Sequence, residues 1–253
     1  MRRILSSVVW ILATCVFCSA QNTLYFPQIA NGFVTNGTIW VTAIAITNTA
    51  ASGTATASGT ITLTQDNGTP WSVAFNDEQN RPVANGSSVP FQVAGGQTRL
   101  FVSTGVAPLN TGFASVTSNL PVAAATVFFE FSDFGNARIA EAGVPASAAL
   151  ARQTIFAAKL NNNTGIAVAN PSTGSANITF QVLDTNGVAA LPSVNRTVAA
   201  NGHTAFFLSE LFPGLPQAFF GTMQITSSTP VVTTALLFEA SGQFATFPVF
   251  PLP

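Results

Sequence analysis

Cysteine is almost missing from this chain of 253 residues: there are two, Cys15 and Cys18, both inside the first twenty positions. Everything after them lacks a thiol, which excludes disulfides, thiolate metal ligands and cysteine nucleophiles, and leaves the fold to its core. Charge is nearly as scarce. Only 7% of residues are Asp, Glu, Lys or Arg, against about 25% in an ordinary soluble domain. No basic patch exists for a phosphate backbone, so nucleic acid is excluded as a partner. A single histidine, His203, excludes a histidine-based metal cluster and offers no Ser-His-Asp order worth proposing. Helical periodicity is missing too, apart from Leu208-Ser209-Glu210-Leu211-Phe212, which Pro213-Gly214 stops.

The N-terminus has what an export signal needs. Arg2 and Arg3 precede a nearly unbroken apolar run from Ile4 to Phe17, and small residues stand at Cys18 and Ala20. This reads as a signal peptide over 1–20, cleaved after Ala20, with no transmembrane span in the mature chain. The alternative is a lipoprotein acylated at Cys15, and Leu12-Ala13-Thr14 is a poorer match to that pattern. Without Arg2 and Arg3, six basic residues face nine acidic ones, a net charge of −3.

What is present is a repeat. Aligning Gly112 with Gly221, an offset of 109, also matches Thr117, Ser118, Pro121, Val122, Phe129, Glu130 and Ser132 with Thr226, Ser227, Pro230, Val231, Phe238, Glu239 and Ser241. Ile44-Ala45-Ile46-Thr47-Asn48 likewise resembles Ile166-Ala167-Val168-Ala169-Asn170. Two copies of about a hundred residues imply two domains, 21–145 and 146–253, joined by a short linker at 143–149. Loop insertions in the first copy fall near 49–57 and 76–88.

Within each copy, period-2 alternation rich in Val, Ile, Thr and Phe is punctuated by Gly, Asn and Pro, which predicts seven to nine short strands. Asp66-Asn67-Gly68 and Asp184-Thr185-Asn186-Gly187 predict tight reversals with positive φ at Asn-Gly, too poor in carboxylates for calcium loops. The segments 113–131 and 222–239 predict a hairpin in each copy, with Pro121 and Pro230 opening its second strand. The fold class is therefore all-β, two tandem immunoglobulin-like (fibronectin III-like) sandwiches. A transmembrane barrel fits less well, because positions facing a lumen would lack charge and the chain ends Pro251-Leu252-Pro253.

The paired Asn-ended strands and the Asn-Gly reversals resemble bacterial exported immunoglobulin-like repeats. The module endings Glu141-Ala142-Gly143-Val144-Pro145 and Phe247-Pro248-Val249-Phe250-Pro251 are similar to those of secreted proteins of soil bacteria. The resemblance covers 24–251 and implies a fold and a compartment, without implying a site.

The repeat also sorts candidate residues. His203 stands where the first copy has Gln97, which makes it a polar residue at a strand start and not a base or ligand. Glu130 and Glu239 recur inside apolar strands and read as solvent-facing charges that block edge-to-edge pairing, with the floor of a ligand groove as the functional alternative. Tyr25, Trp40 and Trp71 read as core, with a sugar-stacking platform as the alternative. Asp77, Glu78 and Arg81 bring rare local charge to the 76–88 insertion and are the tentative ligand-facing set. No catalytic residue, cofactor or metal site is expected. The function read from these observations is that of a non-catalytic structural or interaction protein, secreted or at the cell surface. A carbohydrate- or polymer-binding module is the alternative, with an extracellular protein or glycan as partner.

Overall fold

The computed structural model describes residues 22–132, 137–160 and 162–253; the signal-peptide reading over 1–20 lies outside them. The chain is all-β, with two sheets and one short helix. Strands β1 (Asn22–Phe33), β2 (Ile39–Asn48), β3 (Ala57–Gln65), β4 (Val73–Asn76), β5 (Pro82–Gly86), β6 (Ser88–Val93), β7 (Thr98–Ser103), β8 (Asn110–Ser118), β9 (Val122–Ser132) and β10 (Ala137–Pro145) build the first half. The second contains β11 (Leu150–Leu160), β12 (Asn162–Ala169), β13 (Ala176–Asp184), β14 (Val194–Val198), β15 (His203–Phe207), α1 (Leu208–Leu211), β16 (Ala218–Glu239), β17 (Phe244–Phe247) and β18 (Val249–Pro251).

Each half is two-layered and sandwich-like. In the first, β1-β8-β3-β6 faces β5-β4-β7-β2-β9-β10. Strand β1 belongs to both layers, pairing β8 up to Asn31 and β2 from Gly32, so ten strands make one almost closed sheet. In the second, β14-β13-β16-β11-β18 faces β15-β12-β16-β17, and the long β16 is shared. Alternation sends one side of every strand inward: Phe26, Ile44, Ile46, Ile61, Leu63 and Phe101 are fully buried in the first half, Ile155, Val168, Phe180, Met223 and Ile225 in the second. Burying each such side chain stabilises the fold by about 1.5–3 kcal/mol.

The repeated residues have structural duties. Asn48 ends β2 and donates from Nδ2 to the carbonyls of Ala55 and Val93, while its Oδ1 accepts from the Ala50 amide. Asn170 does the same for Gly174, Val198 and Ala199, and accepts from Ser172. Thr42 Oγ1 bonds both the amide and the carbonyl of Ala30, and Thr164 repeats this with Ala158. At Gly112 a Cβ would stand 2.0 Å from the Thr64 carbonyl oxygen, and at Gly221 2.0 Å from that of Leu183. Neither strand crossing tolerates a side chain.

Several expectations are corrected. Segments 113–131 and 222–239 are not hairpins. β8 pairs β1 and β3, whereas β9 pairs β2 and β10, so the chain crosses from one layer to the other near Pro121. In the second copy that crossing is a single strand, β16, running through Pro230. Proline lacks the N–H a returning ladder would need, and it suits a change of layer as well as a strand start. The reversals at Gly68 and Gly187 place only glycine at positive φ, +84° and +77°. They are turns closed by Gly68 N–H to Gln65 O and Gly187 N–H to Asp184 O, with the asparagine in ordinary territory. Nor is 143–149 a free linker: Gly143 to Pro145 belong to β10, and the Ser147 amide donates to Tyr25 O at 2.9 Å. The 76–88 insertion contains a strand that periodicity missed, β5, paired with β4.

No helix among the described residues is long and apolar enough to cross a membrane. The helix read at 208–212 is present as α1, where Glu210 Oε2 accepts from the Phe207 amide at 2.7 Å.

Candidate functional site

The tentative ligand-facing charges are spent on one another. Asp77 and Arg81 close the β4–β5 turn, with Arg81 Nη2 2.6 Å from Asp77 Oδ2 and Arg81 Nε donating to the same oxygen at 2.8 Å. Asp77 Oδ1 accepts from the amides of Gln79 and Arg81, and Glu78 Oε1 accepts from Gln79 Nε2. These bonds from Arg81 and Gln79 hold the Asp77 carboxyl below its usual value despite the opposing effect of burial. Such a self-satisfied turn presents little unmet hydrogen-bonding capacity to a ligand.

The recurring glutamates occupy unlike environments. Glu130 lies opposite Trp40 on β2 and Ala140 on β10 and is half-buried, and that burial pushes its carboxyl above its usual value. Glu239 ends β16 and is exposed; its amide donates to Gln243 O at 2.7 Å. The solvent-facing reading therefore describes Glu239 and not Glu130. Neither lines the cleft described below. Tyr25, Trp40 and Trp71 do not assemble into a platform: Trp71 is buried in the first core, Tyr25 packs at the junction of the halves, and Trp40 stacks on Phe244 of the second half with ring centroids 5.6 Å apart.

That stacking belongs to a junction which sequence reasoning did not anticipate. Phe128, Ala140, Ala142 and Val144 of the first half form one apolar cluster with Leu236 and Phe244 of the second. Phe113 meets Val232 and Ala169 in another. Thr246 Oγ1 donates to the Gly143 carbonyl at 2.6 Å.

At the far side of the junction His203 meets Asp66. Its Nδ1 donates to Asp66 Oδ1 at 2.7 Å and its amide donates to the Asp66 carbonyl at 3.0 Å. Thr111 Oγ1 donates to the same carboxylate at 3.0 Å and 3.1 Å. Burial pushes the Asp66 carboxyl up, but the bond and charge of His203 and the bond from Thr111 outweigh it and leave the group below its usual value. The turn bearing Asp66 docks closely, since a Cβ on Gly68 would stand 2.6 Å from the Ala200 carbonyl oxygen. His203 is thus more than the polar strand start predicted for it.

Between these anchors the halves leave a cleft of about 370 Å³. Gln28, Trp40, Leu109 and Phe128 line it from the first half, and Ile166, Phe206, Leu236 and Phe238 from the second. Its polar rim holds Thr111, which is bonded to Asp66, and Glu210, which caps α1. The chemistry of this wall suits apolar contact and not proton transfer, because its one acid has no second titratable group beside it in the lining. Among the described residues no group of three or more His, Cys, Asp or Glu side chains could hold a metal ion.

No protein-family model, curated protein or solved structure matches the chain. The fold and the cleft together define an all-β, sandwich-like protein of two sheets with an apolar recess where they meet.

Proposed function

We propose that this is a non-catalytic exported protein, two immunoglobulin-like domains (21–145 and 146–253) behind a signal peptide, which acts by binding or by building extracellular structure. One observation carries the reading. The polar groups best suited to chemistry are already committed to architecture: Asp77 and Arg81 to a turn, Glu210 to a helix cap, His203 and Asp66 to the junction. What the concave surface offers instead is hydrocarbon, which supports association over turnover. The test is N-terminal sequencing of the protein recovered from its native compartment. The reading expects a chain beginning at Gln21; Met1 overturns export, whereas an acylated Cys15 keeps export and overturns only cleavage after Ala20.

A second reading, binding of an uncharged polymer such as a glycan, is favoured by the outer face of β18-β11-β16-β13-β14. Phe156, Phe220 and Phe250 are 40%, 48% and 45% exposed there. Beside them run Thr154, Thr222, Gln224, Thr179 and Gln181, neutral groups that can bond sugar hydroxyls while the rings stack. A screen of the mature protein against cell-wall and plant polysaccharides tests it, with Phe156→Ala and Phe250→Ala expected to weaken any binding found. Binding unaffected by both substitutions overturns this choice of face.

A further inference from the structure

The cleft between the halves contains an irregularity that the other copy lacks. On β11, Ile155 opposes Met223 and Ala157 opposes Gly221, two steps against two. On β1, the matching pairs are Phe26 with Ala114 and Ile29 with Gly112, three steps against two. One extra residue is therefore inserted at Pro27-Gln28, a bulge of the kind that re-aims a side chain out of the ladder. Gln28 lines the cleft, and its Oε1 is buried with no hydrogen-bond partner among the described residues. A buried acceptor left unmet costs stability, and a ligand donor would remove that cost.

We propose that this cleft is a binding site for a small, neutral, largely apolar molecule, aromatic or alicyclic, which carries one hydrogen-bond donor that Gln28 Oε1 accepts. Trp40, Phe207 and Phe238 supply flat apolar walls for such a ring system. A carboxylate or phosphate ligand is disfavoured: no Lys, Arg or His lines the cleft, and the one ionisable side chain in its lining is the acid Glu210. The volume of about 370 Å³ lies at the small end of ligand pockets. This site is separate from the outer aromatic face, so its test stands or falls apart from glycan binding and from export.

The experiment is calorimetric titration of the mature chain with 1-naphthol and with 1-methoxynaphthalene, which has the same ring but no O–H. Saturable one-to-one binding of 1-naphthol is expected, about tenfold tighter than the methyl ether. Gln28→Leu should bring the two compounds within about twofold of each other. Ala205→Trp, placed at an exposed position on the cleft wall, should abolish binding of both while leaving the melting temperature within a few degrees of the parent. If Gln28→Leu fails to fold, the two ligands on the parent chain and the Ala205→Trp variant still decide the matter. Absence of saturable binding by either compound, equal affinity for both on the parent chain, or binding that survives Ala205→Trp overturns the proposal.

Discussion

His203 Nδ1 lies 2.7 Å from Asp66 Oδ1, joining residues 137 positions apart and belonging to different halves. His203 is buried at 4% exposure, whereas the Asp66 side chain is about half exposed. The bond is one of few polar ties across a junction that is otherwise apolar. It locates the second half on the turn at 65–69, while the Trp40–Phe244 stack fixes the opposite end.

Removing that tie should loosen the junction without unfolding either core. His203→Ala is expected to lower stability by about 1–2 kcal/mol near neutral pH, discounted for the exposure of Asp66. The acid limb follows from the depressed Asp66 carboxyl. A group whose folded value is below its unfolded one contributes fully above the unfolded value, about 3.9 for Asp, and loses that contribution as pH falls through the lower folded value. Asp66→Asn should therefore flatten the decline in stability below about pH 4. Urea midpoints across pH for the parent and both variants measure this.

The two glutamates should separate. Glu130 is raised by burial, so its ionised form is disfavoured in the folded chain and costs stability above its folded value. That cost disappears as pH falls and the group protonates. Glu130→Gln is therefore expected to stabilise the protein at neutral pH by about 0.5 kcal/mol, with the gain vanishing in acid. Glu239→Ala, at an exposed strand end, should change stability by about 0.5 kcal/mol or less. Thermal melts at pH 7 and pH 4 compare them.

Asn48 and Asn170 should be among the most costly polar positions. Alanine at either leaves buried carbonyls of the sheet, those of Val93 or Val198, without their side-chain donor. Each substitution is expected to cost about 2–3 kcal/mol by denaturant unfolding. Near-equal losses at the two sites would bear out their equivalence, and a loss at only one would refute it.

These comparisons show what alternation and repetition reveal. Residues that do the same job twice were legible: the Asn48 and Asn170 strand ends, Gly68 and Gly187 at the reversals, and the apolar strands of both copies. The short helix at Leu208–Leu211 was legible from its flanking Pro213-Gly214. Which strands pair was not, because period-2 patterning is the same whether β9 folds back on β8 or crosses to the other layer. The junction was invisible for a different reason. It joins unlike surfaces of the two halves, so its contacts are not repeated: His203 bonds Asp66 where the first copy has Gln97, and the bulge at Gln28 in β1 has no match at the equivalent place in β11. Comparison between the copies reads His203 only as a polar strand start and gives no signal at all for Gln28.

The central claim is that two sandwich-like halves, each with its own core, are coupled through the junction into one body that frames the cleft. Scanning calorimetry of the protein tests this most directly. Coupling predicts one unfolding transition whose calorimetric and van't Hoff enthalpies agree, split or broadened by Phe244→Ala, which removes the ring stacked on Trp40. Two resolved transitions in the parent chain, unchanged in temperature by Phe244→Ala, would contradict it.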